Sequence, residues 1–427
     1  MDLDHSDLIE IAKDIPLIQM PLRVDVIKKR NGSLASYSIF RHLPLDILRD
    51  ALQCDKGPGS HITGTLVGFA IADSVAAPWK HTPVGEAVRG IGTASSFYSL
   101  ETGQYTDITS IALCLAESLI VREGYEPTDA RGRYYHWWHS GYMSSLGEDK
   151  TSEGLRPVLG RCFTEILAEP NAYVVQKSDE LDAGSLVGAI VPPLYFHRHP
   201  EYAIAVAQHQ SYGRQGGEVA AACCATLSFL LMKLLQPSEL SREASGFRKI
   251  VDDALSEWQV WMETQIFPHP AREGKDAEEK RERALEVIGA LVTGEGELSW
   301  KAETLGLEAY IEKVGKPAHT IGQTAPEALS MSLHAAYHAT SYMEAVQRAV
   351  AMGGDANMVA ALAGSLWGAY VGYHSMLKDT EVSTWKKELE IWDKERITAL
   401  GTLLYTRGSD AGFQRGVPTP HAGLLNH

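Results

Sequence analysis

Cysteine is scarce and poorly placed for a structural role. Five occur in 427 residues: Cys54, Cys114, Cys162, Cys223 and Cys224. The number is odd and the spacing scattered. The adjacent Cys223 and Cys224 suit neither an ordinary disulfide nor a C-x-x-C site, so reduced thiols in a cytosolic protein are expected. Basic residues are also short, 39 Lys+Arg against 54 Asp+Glu, for a net charge of −15. That excess argues against a broad nucleic-acid or anionic-membrane surface, and neither partner is expected. Long apolar runs are missing too. The longest uncharged apolar stretch, Val219 to Met232, falls short of the roughly 20 residues that span a bilayer. The N-terminal sequence MDLDHSDLIEIAKDIP has no basic segment followed by an apolar one, so no signal peptide is read and a cytoplasmic location is expected. Internal repeats and low-complexity blocks are absent.

What is present is an ordinary globular composition, 44% AVILMFWYC and 22% charged residues, in a chain long enough to bury a core without staples. Period-two alternation is rare and helical periodicity dominates, which predicts an all-α fold. We read residues 1–57 as an N-terminal extension punctuated by Pro16, Pro21 and Pro44, residues 58–405 as one helical domain, and residues 406–427, rich in Gly and Pro, as a tail. Ser110 to Arg122 carries an apolar face with Gly124 as its stop. Thr128 precedes a short helix through Trp137 and Trp138. Glu201 to Ser211 and Glu218 to Leu235 make two more helices, the second apolar nearly all round. Phe247, Ile250, Val251, Ala254, Leu255, Trp258 and Met262 trace one stripe. Lys275 to Glu286 reads as a solvated face. Capping boxes are predicted at Thr324–Glu327 and Ser341–Glu344.

Three segments carry the chemistry. In the first, Gly68 to Trp79, Asp73 is an acid embedded among small residues. In the second, Thr106 and Asp107 open a helix, and carboxylate and hydroxyl oxygens at such a turn are what hard cations require. In the third, Gly353 and Gly354 release one helix and Asp355 stands where the next begins, followed by Gly364, Gly368 and Gly372 at i, i+4 and i+8. Small residues on one helix face admit a close neighbour. A helix-start Asp is ordinarily an N-cap, but the double glycine suggests a shaped turn that aims the carboxylate into a cleft.

These segments, in this order, resemble the ADP-ribosylglycohydrolase family. Phe69 to Pro78 is similar to G-x-A-x-G-D-A-L-G-A-P. Thr106-Asp107-Ile108-Thr109, with the helix Ala112 to Leu119 behind it, is similar to T-D-D-T and A-L-x-L-A-E-S-L. Gly353 to Gly372 is similar to G-G-D-A-D-T-x-A-A-I-A-G-x-x-x-G-A-x-x-G. The match spans roughly Gly64 to Met376. The resemblance implies an all-α ADP-ribosylglycohydrolase-like orthogonal helical bundle with a two-ion Mg²⁺ or Mn²⁺ centre at helix ends, acting at ribose C1″ of ADP-ribose. Position by position, Thr106, Asp107 and Asp355 match metal-site positions. Ile108 stands where the family has a second Asp, Asn357 replaces the acid of D-A-D-T, and Met358 replaces its Thr. Ile and Met cannot serve a hard cation. The expectation is therefore no cofactor, or a single weakly bound Mg²⁺ or Mn²⁺. The phosphate-contacting S-N-G-x-x-M-R-x-x-P segment has its nearest counterpart in Ala183 to Pro192, where the Asn, Met and Arg are absent.

The expected site thus comprises Asp107, Asp355, Asp73 and Glu86 as acids, with Thr106, Asn357, Ile108, Met358 and His209 around a small-molecule substrate. Asp107 and Asp355 are expected within about 10 Å of each other, near enough to influence one another's ionisation. The aromatic run Tyr134 to His139 reads mainly as core. His197 with His199, and His334 with His338, lack a third ligand and read as ordinary packing. The leading function is hydrolysis of a glycosidic or related C–N or C–O bond with the metal site lost. The alternatives are a metal-free lyase or cyclase of small-molecule biosynthesis on the same fold, and a non-catalytic ADP-ribose- or partner-binding protein. The oligomeric state is left open.

Overall fold

A computed structural model describes residues 57–84, 100–146, 178–214, 216–236, 243–393 and 395–408. The expected N-terminal extension, Glu86, Cys54 and Cys162 lie outside the described residues. No strand occurs among those described, and non-helical backbone pairing is limited to isolated bridges Thr82–Gly354, Glu180–Gly216 and Asp182–Thr324. The helices in chain order are α1 Pro58–Ala76, α2 Asp107–Arg122, α3 Pro127–Ser140, α4 Gly184–Ala189, α5 Pro192–Tyr195, α6 Pro200–Gly213, α7 Glu218–Leu234 and α8 Ala244–Gln265. They continue as α9 Gly274–Thr293, α10 Leu307–Val314, α11 Ala325–Tyr337, α12 Tyr342–Ala351, α13 Ala356–Val371, α14 Tyr373–Met376, α15 Thr380–Asp393 and α16 Arg396–Gly408. The last helix runs three residues past the boundary expected at 405.

The axis of the fold is the antiparallel pair α1 and α13. The glycines of one face the glycines of the other. A Cβ on Gly64 would stand 2.6 Å from the Gly368 carbonyl oxygen, and a Cβ on Gly68 would stand 2.7 Å from that of Gly364. The two backbones are in contact with no side chain between them, which the i, i+4 spacing of Gly364 and Gly368 permits. Tyr342 Oη on α12 donates to the Gly68 carbonyl at 2.6 Å. This closeness carries the C-terminal end of α1 to the N-terminal end of α13, where the site lies. With the short helical turn Ala77–Trp79 that follows it, α1 is long and apolar enough to cross a membrane by composition, at a mean hydropathy of 1.2, yet 89% of that window is buried inside the protein. It is a core helix.

Other expectations meet local corrections. On α8, Phe247, Val251, Ala254, Leu255, Trp258 and Met262 are buried as one stripe, with Ile250 half-buried at its edge. Helix α3 starts at Pro127, and Glu126 rather than Thr128 is its cap, accepting from the Thr128 N–H at 3.2 Å. The Thr324–Glu327 capping box is closed in both directions. The second box is half made. Ser341 accepts from the Glu344 N–H at 3.2 Å, but the Glu344 carboxylate reaches one residue further back, to the Thr340 N–H at 2.8 Å. A buried ion network joins α2 to α3. Arg133 donates to Asp129 at 2.7 Å and to Glu117, Arg122 reaches the other Asp129 oxygen at 2.8 Å, and Tyr142 donates to Glu117.

Candidate functional site

Asp73 is the hub on which the three motif segments converge. It lies near the end of α1 and is fully buried. Its Oδ1 accepts from Thr106 Oγ1 at 2.8 Å and Asn357 Nδ2 at 3.2 Å. Its Oδ2 accepts from the Thr106 N–H at 2.9 Å and Thr109 Oγ1 at 2.7 Å. A carboxylate offers about four lone-pair sites, and protein donors take all of them. Burial pushes the Asp73 carboxyl up to about 6 against the pull of these hydrogen bonds. Asp73 was expected among the catalytic acids. Its oxygens are engaged by the heads of α2 and α13.

The helix starts are shaped to meet there. Thr106 is extended at the N-cap of α2, yet its hydroxyl makes no cap bond because it is turned to Asp73. Before α13, Gly353 and Gly354 both adopt left-handed φ, 68° and 63°. A Cβ on either would collide with backbone carbonyls, of Thr82 and of Ile321 respectively. The reversal is fastened by Gly354 N–H to Thr82 O at 2.8 Å and Asp355 N–H to Ile321 O at 2.8 Å. Asp355 occupies the N-cap position of α13 without making a side-chain cap bond. Its carboxylate instead pairs with Lys80, Nζ to Oδ1 at 3.5 Å, both side chains buried. Lys80 precedes His81, a non-glycine residue at φ 65°, whose N–H is tied to Gly354 O at 2.6 Å. A left-handed side-chain-bearing residue is uncommon, and here it turns the chain so that Lys80 faces Asp355.

Asn357, in the first turn of α13, bridges the segments. Its Nδ2 donates to Asp73 and also to Thr106 Oγ1 at 3.2 Å. A carboxylate only accepts, so the amide nitrogen must face it. The Asn357 Oδ1 is then buried with no hydrogen-bond partner among the described residues. Thr106 and Asn357, in contact, are neighbours in sequence of Asp107 and Asp355, so the structure brings together the two helix starts that the sequence placed about 250 residues apart. Asp107 is itself buried at the head of α2.

Other expected residues fall elsewhere. Ile108 and Met358, 2% and 0% exposed, are part of the apolar core beneath the site. His209 is not brought to the cluster. It sits on α6 against Tyr125, Nδ1 to Oη at 3.4 Å. Tyr125 follows the C-terminus of α2, and at 1.5 Å per residue that lies roughly 20 Å or more from Asp107. Tyr134, His136 and Trp137 are core residues, as read. His334 Nδ1 meets Trp300 O at 3.0 Å, an ordinary packing bond. Sequence reasoning missed Lys80 and Thr109. Both lie at a segment end, Lys80 two residues past Pro78 and Thr109 as the last residue of Thr106–Thr109.

The donor chemistry does not suit a pair of divalent ions. Thr106 already donates to Asp73 and accepts from Asn357, the Asn357 amide is turned to Asp73, and Asp355 has an ammonium beside it. Ile108 and Met358 carry no oxygen. Among the described residues no group of three or more His, Cys, Asp or Glu is disposed to share an ion. Among the described residues of this cluster, Asn357 Oδ1 is an acceptor with no hydrogen-bond partner and Asp355 Oδ1 has the Lys80 ammonium near it, a set far from the six or more oxygens that a hard ion seeks.

A family model for ADP-ribosylglycohydrolase matches residues 56–412. The chain is similar to "ADP-ribosylarginine hydrolase Tri1" of Serratia proteamaculans (strain 568), 23% identical over 351 residues that cover 82% of this chain and 80% of that protein. It is similar to the protein of the same name in Pseudomonas putida (strain GB-1), 23% identical over 363 residues, covering 80% and 81%. Among solved structures, an "ADP-ribosylglycohydrolase-related protein complex" superposes with a TM-score of 0.60 at 22% identity, over 83% of this chain and 99% of that one. At that identity the likeness shows the fold, which is the all-α bundle expected.

Proposed function

Because the chain belongs to the ADP-ribosylglycohydrolase family, we propose that it hydrolyses a glycosidic or related C–N or C–O bond without the family's two-ion centre. The observation that carries this reading is the buried Lys80–Asp355 pair, which puts a fixed positive charge beside the carboxylate that matches a metal position. A divalent ion at the family's site would stabilise negative charge and polarise a bound oxygen. The residues here do not fit one. Hydrolysis adds water across the bond: the water oxygen joins the anomeric carbon, the bond to nitrogen or oxygen breaks, and the leaving atom takes up a proton. In this reading Asp355 accepts the water's proton while Lys80 compensates the charge of their pair, and Asp107 holds the proton for the leaving atom. Asp73, Thr106, Thr109 and Asn357 fix the two helix heads that present these acids.

The relatives' printed names make ADP-ribosylarginine the first substrate to test. Turnover is expected to survive EDTA, to gain nothing from Mn²⁺ or Mg²⁺, and to fall by about 10² or more in Asp107→Asn and Asp355→Asn, the usual worth of a general acid or base. Loss in EDTA with rescue by Mn²⁺ would overturn the metal-free reading. A product lacking the elements of water would identify a lyase or cyclase, and tight binding of ADP-ribose with no turnover would identify a binding protein.

A further inference from the structure

Two other arginine side chains among the described residues are answered by carboxylates. Arg133 is held by Asp129 and Glu117, and Arg272 by Asp179 at 2.7 Å and Glu218 at 3.0 Å. Arg214 differs. It is the C-cap of α6 and only 6% exposed, yet no carboxylate among the described residues lies within ion-pair distance of its guanidinium. Its Nη1 is buried without a hydrogen-bond partner. One face of the group rests over the Tyr134 ring, 5.5 Å from the centroid. The acids near this turn are committed: Asp179, packed against Gly217, to Arg272 and Lys280, and Glu218, at the start of the next helix, to Arg272. The turn after Arg214 is lined by hydroxyls, for a Cβ on Gly216 would stand 2.9 Å from Ser185 Oγ and would collide with Ser211 Oγ.

A buried, uncompensated cation is a standing cost to the fold. Its usual resolution is a counter-ion, and none of the described residues supplies one. We propose that Arg214 anchors an oxyanion site, completed by the Ser185 and Ser211 hydroxyls that line the turn after it, that takes the carboxylate or phosphate of a small-molecule ligand. The planar guanidinium presents parallel N–H donors that match either group. The turn is linked to the acid cluster through backbone: Gly217 N–H to Glu180 O at 2.8 Å, Ala183 N–H to Gln323 O at 2.8 Å, and Asp355 N–H to Ile321 O at 2.8 Å. A ligand held at Arg214 therefore sits on the same framework that carries Asp355. The identification of that ligand with the substrate rests on the hydrolase reading; the anion site itself does not.

The test needs no turnover. The thermal midpoint of the full chain is measured in sodium phosphate, sodium acetate and sodium chloride at matched ionic strength, for wild type, Arg214→Met and Arg214→Lys. Wild type is expected to rise by about 2 °C or more in phosphate or in acetate relative to chloride, since a ligand that binds only the native state stabilises it. Whichever anion raises it names the group. Arg214→Met is expected to start above wild type in chloride, because the unanswered charge is gone, and to lose the anion response. Arg214→Lys keeps a charge without the fork and should respond by less than half as much. A wild type indifferent to both anions, an Arg214→Met protein that melts lower in chloride, or one that keeps the anion response would each overturn the proposal. The first two make Arg214 a packing residue on Tyr134, and the third places the anion elsewhere.

Discussion

Two glycine-to-alanine substitutions, identical on paper, should move stability in opposite directions. Gly368 lies on α13 where it crosses α1. A methyl there would stand 2.7 Å from the Gly64 carbonyl carbon, with the carbonyl oxygen nearer still. The obstacle is backbone, so no side chain can swing aside, and α1 and α13 must separate by several tenths of an ångström to more than one. Overpacking of a tight core costs typically about 1–3 kcal/mol. Here the upper end is expected, because the same pair meets again at Gly68 and Gly364 and the displacement spreads along both helices. Gly289 lies in the middle of α9, and a methyl there would meet only Met262 Cε, at 3.6 Å, an ordinary contact. Removing a glycine from a helix interior gains about 1 kcal/mol.

Gly368→Ala is thus expected to lower the thermal midpoint by about 5 °C or more and Gly289→Ala to raise it by about 1–2 °C, taking roughly 2 °C per kcal/mol. Circular dichroism at 222 nm reads both, with the urea midpoint as a check. The separation should also reach the site, since Asn357 Nδ2 and Asp73 Oδ1 are already 3.2 Å apart. Activity per folded molecule should therefore fall in Gly368→Ala and stay unchanged in Gly289→Ala. Two variants that shift in the same direction, or a Gly368→Ala protein within about 0.5 kcal/mol of wild type, would refute the claim that backbone contact sets the α1–α13 distance.

Three further outcomes follow from other parts of the structure. Arg133→Met leaves Glu117 and Asp129 buried without that partner, and urea unfolding should show a loss of about 3–5 kcal/mol, while Arg133→Met combined with Glu117→Leu should recover part of it. Burial lowers the His334 imidazole, so the folded state binds its proton less readily than the unfolded chain. The stability it contributes is present above pH 6.5 and is lost as the pH falls from there through the folded value, and His334→Gln should flatten that limb of the pH–stability curve. Burial also pushes the thiols of Cys114 and Cys223 well up and that of Cys224 up to about 12; in a Cys54→Ser/Cys162→Ser variant the remaining cysteines should react with a disulfide reagent only on unfolding.

Much of this architecture was legible because burial leaves a phase in the sequence. The α8 stripe is readable since only one face is covered, and the solvated face of α9 is readable for the complementary reason. Gly364 and Gly368 announced a close neighbour, but not that α1 would answer with Gly64 and Gly68, because α1 is apolar on all sides and carries no phase to read. The convergence of the Thr106 and Asp355 turns followed from the motif order. The role of Asp73 did not: a lone acid among small residues looks like a ligand or a catalyst until the four donors that fill its oxygens are seen in space. Lys80 was passed over for a similar reason. A lysine in a short connection ordinarily faces water, and only the left-handed turn at His81 reverses it into the interior.

The departures at positions 108, 357 and 358 obey one physical rule. Each lies in the first turn of a helix whose head is buried, where a carboxylate with no cation to answer it would cost far more than it could return. An apolar side chain at 108 and at 358 settles that account by joining the core, and both residues do so completely. A neutral amide at 357 settles it by turning its nitrogen to Asp73 and Thr106. The acids that remain have local compensation of their own, four donors at Asp73 and an ammonium beside Asp355. These substitutions are therefore coupled rather than scattered. Restoring aspartate at 357 alone would set a second carboxylate against Asp73 within hydrogen-bonding range and should destabilise the protein.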